Sequence, residues 1–434
     1  MRVVEILLVE APHKPGNLAR ILGVIGSMDV TVEGVNAVRR LHQDTIWEVT
    51  IEYDDSLAME ELVASINKLP ETILVGKSDR VFNRHKGGKI ETVSKIEIAN
   101  LEILRDVYTP GVARVCQRIK EEPEALYEFT NIKNTVAVVT NGTAILGLGD
   151  IGPEAGLPVM EGKAAILSEM VGLSGVPILL KEKDPASIIQ TVKAIAPSFG
   201  AILLEDIRSP ECFEVEEKLI AALDRPVFHD DQHGTAIVVL AALLSATRRL
   251  GIDLRDKVCG QVGLGAAGMG NCRLLMDYGA KEVLGSDINE GALSRLKAKG
   301  GHPVSLDELM AKSDIVIATT GVKGLIKPEM VRKGQIIMAL TNPDPEIEPE
   351  VALERGAAFA TDGKTVNNML AFPGLFKGAL SGGARKISHA MKIAAAETLS
   401  GLARSDALVP QALNLQAHEK VTEAVYQIAL KQSS

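Results

Sequence analysis

In the first 78 residues, apolar positions alternate with polar ones in short runs and recur at helical spacing in longer ones. Val3 to Val9, Thr31 to Val38 and Thr45 to Tyr53 read as strands, Gly16 to Met28 and Leu57 to Lys68 as helices, and Thr72 to Gly76 as a short closing strand. Gly16 permits a tight turn after Pro15, and Leu18, Ile21, Leu22 and Ile25 make the apolar face of the helix that follows. The order βαββαβ predicts a ferredoxin-like sandwich over residues 1–78, and the basic, glycine-containing stretch after it predicts a linker over residues 79–95.

From Thr135 onward the pattern changes to short apolar runs separated by helical ones: Val136 to Thr140, Val176 to Lys181, Ala201 to Glu205, Pro226 to Phe228, Lys257 to Val262, Glu282 to Ser286, Ile315 to Thr319 and Gln335 to Ala339. Such runs are the mark of parallel sheets covered on both faces. The expected fold class is therefore α/β. An α/β domain for substrate and metal spans residues 96–230, a Rossmann-type doubly wound domain residues 231–400, and a helical segment residues 401–434. The longest apolar stretch, Thr235 to Ala246, is too short to span a bilayer and reads as a buried helix.

Composition narrows the class. A chain of 434 residues, 46% hydrophobic and 24% charged with a net charge of −9, reads as a soluble globular protein of several domains. Nucleic acid is not an expected partner, because phosphate binding needs a concentrated basic face. Cys116, Cys212, Cys259 and Cys272 form no CxxC pair and read as buried reduced thiols, in keeping with a cytoplasmic location. No secretory leader or membrane partner is expected from the start Met1-Arg2-Val3-Val4.

The strongest local motif follows the strand candidate Val258 to Val262, which runs into Gly263-Leu264-Gly265-Ala266-Ala267-Gly268 and then the helix Met269 to Tyr278. In this strand–turn–helix setting the first glycine allows the turn, the second lets the backbone approach a pyrophosphate, and the third lets helix and strand pack closely. The phosphates meet free amides at the helix N-terminus. The next strand ends at Asp287, 24 residues after Gly263, placed to accept from a ribose hydroxyl pair. NAD is thus favoured, with NADP still admissible.

Two other strand candidates end in carboxylates, Glu205-Asp206 and His229-Asp230-Asp231. Acids at the C-terminal ends of parallel strands collect in one crevice and repel one another unless a cation neutralises them. Oxygen donors suit Mg²⁺ or Mn²⁺. Taken singly, Asp231 also reads as a helix cap, Glu205-Asp206 as a strand-end turn, and His229 with His233 as an incomplete zinc pair. Lys163 stands at the start of the helix Ala164 to Leu173; desolvated beside a metal it would have a lowered pKa and serve as a base, and otherwise it is a solvated lysine. Tyr108, in a Pro-Gly turn before a helix, reads either as core or as a hydroxyl exposed to a cleft.

Over about residues 96–400 these pieces together resemble the malic enzymes, NAD(P)-dependent decarboxylating malate dehydrogenases. The resemblance is carried by Tyr108-Thr109-Pro110-Gly111-Val112, Gly147-Leu148-Gly149-Asp150, Glu161-Gly162-Lys163, Leu204-Glu205-Asp206-Ile207, Asp230-Asp231-Gln232-His233-Gly234-Thr235-Ala236, Thr341-Asn342-Pro343 and Asn367-Asn368-Met369-Leu370-Ala371-Phe372-Pro373-Gly374. It implies Glu205, Asp206 and Asp231 as metal ligands, Lys163 as general base, Tyr108 as general acid, and Asn342 and Asn368 as substrate-binding residues, Asn342 also meeting the cofactor. L-malate would be oxidised as Lys163 takes the C2 hydroxyl proton and hydride passes to NAD. Loss of CO₂ would leave an enolate stabilised by the metal, and Tyr108 would protonate C3 to give pyruvate. Larger members of the family carry a carboxylate-binding arginine three residues before the Gly-Leu-Gly-Asp loop; here that position is Ala144, and the anchor for the distal carboxylate stays open.

The first segment, through Pro15-Gly16-Asn17-Leu18, resembles the ACT regulatory domains. That resemblance implies an effector of unnamed small-molecule chemistry, while a unit used only for dimerisation is the other reading. Resemblance to the malic enzymes also implies a homodimer. A malolactic enzyme releasing lactate, and a non-catalytic metabolite sensor, remain alternative functions.

Overall fold

In the computed structural model, which describes residues 2–41, 44–54, 59–145 and 147–433, the early alternation becomes an antiparallel sheet. Its strands are β1 (Arg2–Pro12), β2 (Thr31–Leu41), β3 (Asp44–Asp54) and β4 (Ile73–Asp79), in the order β2-β3-β1-β4. Side chains alternate across a strand, so Leu7, Val9 and Ala11 of β1 and Val49 and Ile51 of β3 share one face. That face meets Ile21 and Ile25 of the helix Asn17–Ser27 and Leu62 and Ile66 of the helix Met59–Asn67. The expected start of the second helix at Leu57 lies outside the described residues. The stretch read as a linker contains a short helix, Arg80–His85. The chain divides into two units, Met1–Glu91, which holds this sheet, and Thr92–Ser434.

The second unit holds two parallel sheets. Strands β5 (Thr135–Thr140), β6 (Ser174–Leu179), β7 (Ala201–Leu204) and β8 (Val227–His229) run in the order β6-β5-β7-β8. The other sheet contains β9 (Val258–Val262), β10 (Glu282–Ser286), β11 (His302–Pro303), β12 (Ile315–Ala318), β13 (Ile336–Ala339) and β14 (Phe359–Asp362), in the order β11-β10-β9-β12-β13-β14. Periodicity missed β11 and β14. Both are edge strands, one only two residues long and the other half-buried, so neither carries the continuous apolar run of a central strand.

Helix Asp230–Leu250 joins the two halves. Every residue from Ala236 to Leu243 is buried, as expected where neighbours cover a helix all round rather than along one stripe. Helices Ala266–Tyr278 and His389–Leu402 pack on it. One continuous core runs from β5 and β7 through this helix to β9 and on into the C-terminal helices Phe372–Ser381, His389–Leu402 and Leu415–Ser433. Asp230 and Asp231, in its first turn, therefore stand on a rigid element.

All four cysteines are free. Cys212, Cys259 and Cys272 are buried, and burial pushes the Cys259 thiol up to about 12. Cys116 corrects the expectation of burial: it is exposed, on the helix Val112–Glu121, which has no buried residue. Among the described residues, no helix is long and apolar enough to cross a membrane.

Candidate active site

Glu205 and Asp206 follow β7 directly and Asp230 and Asp231 follow β8, so both acid pairs emerge at the C-terminal ends of neighbouring parallel strands. Oxygens of Glu205, Asp206 and Asp231 all lie within 4.8 Å of one another. The backbone of Asp206 has a φ of 53°, a left-handed conformation that costs a residue with a side chain about 1–2 kcal/mol. Two hydrogen bonds hold it there: its N–H donates to Asp231 Oδ2 at 3.0 Å, and its carbonyl accepts from the Ala144 N–H at 3.0 Å. Asp231 thus faces the crevice, where it accepts from β7's loop, and does not cap its own helix.

The converging donors are all oxygens, a set that suits Mg²⁺ or Mn²⁺. Glu205 Oε2 is buried without a hydrogen-bond partner, as an oxygen reserved for a cation would be. Neither histidine belongs to the group. The His233 Nε2 atom instead faces Glu216 Oε2 at 3.0 Å.

Lys163 lies in the middle of a helix, Pro153–Val171, and not at a helix start as expected. The helix begins well upstream because Pro153 occupies its first position, where a missing N–H costs nothing. From there the Lys163 ammonium reaches Asp230 Oδ2 at 2.5 Å and Glu205 Oε1 at 3.1 Å, and lies 4.7 Å from the centre of the Phe372 ring. Burial opposes its charge, yet Asp230 and Glu205 hold its pKa above the ordinary lysine value. The protein groups alone therefore shift this lysine in the direction opposite to the expected lowering. Burial, with Asp230, Asp231 and Asp206 beside it, raises Glu205 well above the usual carboxylate range in spite of Lys163. The cluster holds more buried carboxylate than ammonium, which favours a further cation.

The glycine turn forms after β9. Gly263 has a φ of 85°, and a Cβ on Gly268 would fall 1.9 Å from the Gly263 carbonyl oxygen, so both positions require glycine. A Cβ at Gly265 would meet only open space, and no side chain caps the helix Ala266–Tyr278 that starts there. Its first amides are left for an anion, at the point between β9 and β12 where strand order reverses. Asp287, after β10, accepts from the Leu264 N–H at 2.7 Å and the Asn289 N–H at 2.8 Å. It braces the turn and keeps lone pairs for a further donor.

A cavity of about 410 Å³ beside the turn is lined by Thr235, Ala267, Thr341, Asn342 and Asn368, among others. It brings the two asparagines together with the helix that carries Asp231. A larger cavity of about 860 Å³ opens where β7 and β8 begin, lined by Arg225, Arg385 and Lys386 and by none of the expected site residues.

The profile of the malic enzyme N-terminal domain matches residues 87–186. The chain is 50% identical over 430 residues to the NAD-dependent malic enzyme 1 of Bacillus subtilis, covering 99% of this chain and 98% of that protein. It is 40% identical to the NAD-dependent malic enzyme of Geobacillus stearothermophilus, over 95% of this chain and 91% of the other. The crystal structure of a malic enzyme from Pyrococcus horikoshii matches with a TM-score of 0.76 and 40% identity, covering 80% of this chain and 88% of that one. The chain belongs to the malic enzyme family.

Two residues of this malic enzyme, Glu216 and Glu346, escaped the sequence reading, as did the role of Asp230, which reads in the sequence only as a member of the acid pair with Asp231. Asp230 pairs with Lys163, since side chains adjacent on a helix point about 100° apart and meet different partners. Glu216 lies among Cys212, Val215 and Leu219 on the buried face of the helix Glu211–Ala222, and a glutamate on an apolar face was the available signal. It accepts from the His229 backbone N–H at 2.8 Å and contacts Gln232 Nε2 at 3.3 Å and His233 Nε2 at 3.0 Å, so it fixes the segment that carries both aspartates. Glu346, fully buried, accepts from the backbone and hydroxyl of both Thr320 and Thr341 and pins the loop before Asn342; no pattern in the sequence marked it.

Tyr108 is not brought to this group. It follows the helix Leu101–Val107 and is 67% exposed. Among the described residues it makes no hydrogen bond to Lys163 or Asp230.

Proposed function

We propose that the chain oxidatively decarboxylates L-malate to pyruvate and CO₂ while reducing NAD, with Mg²⁺ or Mn²⁺ held by Glu205, Asp206 and Asp231. The observation that carries this reading is the contact of Lys163 with Asp230 and Glu205, because Glu205 belongs at once to the lysine's ion pair and to the oxygen cluster. A proton acceptor thereby stands beside the site for a cation, as oxidation of a 2-hydroxy acid requires.

Lys163 Nζ takes the C2 hydroxyl proton, and Asp230, 2.5 Å away, relays it. Asn342 and Asn368 orient the substrate by amide hydrogen bonds from the cavity wall. Tyr108 supplies the proton to C3. A divalent ion held by Glu205, Asp206 and Asp231 would offset the carboxylate charge that keeps Lys163 protonated and supply Lewis-acid polarisation of the substrate, and NAD would supply the hydride acceptor. The free amides of the glycine turn hold the pyrophosphate, and Asp287 favours NAD over NADP; the NAD-dependent relatives support that preference. Residues 1–78 act as an ACT-like regulatory domain, a reading supported by the strand order β2-β3-β1-β4 with two crossover helices. The protein works as a cytoplasmic homodimer.

The test supplies malate with NAD or NADP, with and without Mn²⁺, and follows NADH absorbance, pyruvate and lactate. NADH and pyruvate should rise together, faster with NAD, and only with the metal. Malate loss with lactate and no NADH would make the protein a malolactic enzyme, and complete absence of turnover would favour the metabolite sensor.

A further inference from the structure

The segment that leaves β7 with Glu205 and Asp206 is tied to the end of β5 and the loop that follows it. The Glu205 N–H donates to the Val139 carbonyl at 2.9 Å, the Asp206 carbonyl accepts from the Ala144 N–H at 3.0 Å, and the Arg208 N–H donates to Thr143 Oγ1 at 3.0 Å. Asp206, with its left-handed backbone, lies within these three ties. Because β5 runs between β6 and β7, its exit loop can reach the exits of both neighbours.

The third tie ends on a side chain. Thr143 is 4% exposed and Asn141 2%, so neither exchanges its partners for water. The single hydroxyl proton of Thr143 goes to Asn141 Oδ1 at 2.6 Å, which leaves a lone pair for the Arg208 N–H. Asn141 Nδ2 donates in turn to the Glu182 carbonyl, beyond the end of β6, at 3.2 Å, and so fixes which end of its amide faces Thr143. Two buried side chains thus connect the exits of β6, β5 and β7. Gly142 lets the loop make this turn: its φ is 66°, and a Cβ there would fall 2.2 Å from the Gly152 carbonyl oxygen.

The other support of Asp206 is its N–H bond to Asp231 Oδ2, and Asp231 is itself one of the three clustered carboxylates. A cation drawing on Asp231 competes with that bond, whereas Thr143 and Asn141 stand outside the cluster. We propose that Thr143, oriented by Asn141, is a positioning residue for the metal ligand Asp206: it holds the exit of β7 in its left-handed turn, so that the three carboxylates are gathered before a cation arrives. The inference rests on the reading of Glu205, Asp206 and Asp231 as a metal site. Partners behind a ligand of this kind set about 10–100-fold of metal affinity.

Mn²⁺ binding to the full-length chain tests it, with free Mn²⁺ followed by electron paramagnetic resonance and NAD binding measured on the same samples by calorimetry. Thr143→Val keeps the shape of the side chain and removes both of its hydrogen bonds; Thr143→Ser keeps the hydroxyl. The Mn²⁺ dissociation constant should rise about 10–100-fold in Thr143→Val and return toward wild type in Thr143→Ser, while NAD affinity stays unchanged in both. Should Thr143→Val not fold, Asn141→Ala, which removes the acceptor that orients the hydroxyl, is held to the same outcome. Wild-type Mn²⁺ affinity in the valine variant, no recovery in the serine variant, or an equal loss of NAD affinity, which would signal general loosening, would overturn the positioning role. Asp206→Asn tests the underlying reading separately: Mn²⁺ binding as tight as in wild type would remove the cluster as the metal site, and the inference would fall with it.

Discussion

The Glu216 carboxylate is the sharpest point at which to perturb the framework behind the site. It is buried, accepts from the His229 N–H, contacts Gln232 and His233, and faces Lys392, which is buried as well. Replacement by alanine leaves these donors without an acceptor, at about 1–3 kcal/mol for each that water cannot reach. It also removes the counter-charge of a buried lysine, a change that costs about 3–5 kcal/mol when the remaining charge cannot escape. Lys392 can escape in part, since burial pushes its pKa down to about 8 and it can shed its proton. The two costs overlap, and a net loss of about 3–5 kcal/mol is expected for Glu216→Ala at pH 7. Glu216→Gln keeps an acceptor for the His229 N–H and should lose roughly half as much.

Urea unfolding followed by far-UV circular dichroism measures the loss. The fluorescence of Trp47, the one tryptophan and a member of the other unit, serves as an internal reference. The sign with pH follows from the shift. Burial raises the Glu216 pKa, but His233, Lys392 and His229 outweigh it and hold the group at about 2, below its ordinary 4.5. Its contribution is therefore fully present above pH 4.5 and disappears as pH falls through about 2, so wild type and variant should converge in acid. Because the same segment carries Asp231, the Mn²⁺ needed for half-maximal activity should rise about 10–100-fold. A stability loss below about 1 kcal/mol with unchanged Mn²⁺ dependence would refute this account of Glu216.

Asp230→Asn keeps the shape of the Lys163 partner and removes its charge and proton-accepting power; kcat should fall about 10²–10⁴-fold with the malate KM little changed, and a kcat within a few-fold of wild type would take Asp230 out of the proton path. Asp287→Ser should narrow the NAD/NADP preference, since it removes a carboxylate placed beside the turn, and an unchanged ratio of kcat/KM values would dissociate that residue from cofactor choice. Deletion of residues 1–78 should leave malate turnover intact and abolish any response to small metabolites; a response that survives the deletion would place the regulatory site in the second unit.

What was legible in the sequence depended on whether the partners are close along the chain. The glycine turn could be read because strand, turn and helix are consecutive and the reason for each glycine is local: a positive φ at Gly263, a carbonyl against Gly268. The acid pairs could be read because strand ends in a parallel sheet face one crevice. The pairing of Lys163 with Asp230 spans 67 residues and depends on how a helix packs against β5 and β6, which periodicity does not encode. For Tyr108 the local turn was legible, but the sequence pattern did not reveal how exposed its helix would be.

The two buried lysines show how protein groups alone move a lysine pKa in opposite directions. Lys163 and Lys392 are both almost wholly enclosed, and burial disfavours the charge on each. Lys392 faces Glu216 without an ion pair in hydrogen-bonding range and lies over the Phe228 ring, so desolvation prevails and its pKa falls to about 8. Lys163 touches two carboxylates directly, and their attraction outweighs the same desolvation. A buried lysine is thus a base or a fixed cation according to the carboxylates within about 3 Å of it. At Lys163 one of those carboxylates, Glu205, is also a candidate metal ligand, so loading the cluster with a cation weakens part of the attraction that holds the lysine protonated. Under the proposed function, metal binding and the availability of the base are in this way coupled through a single side chain.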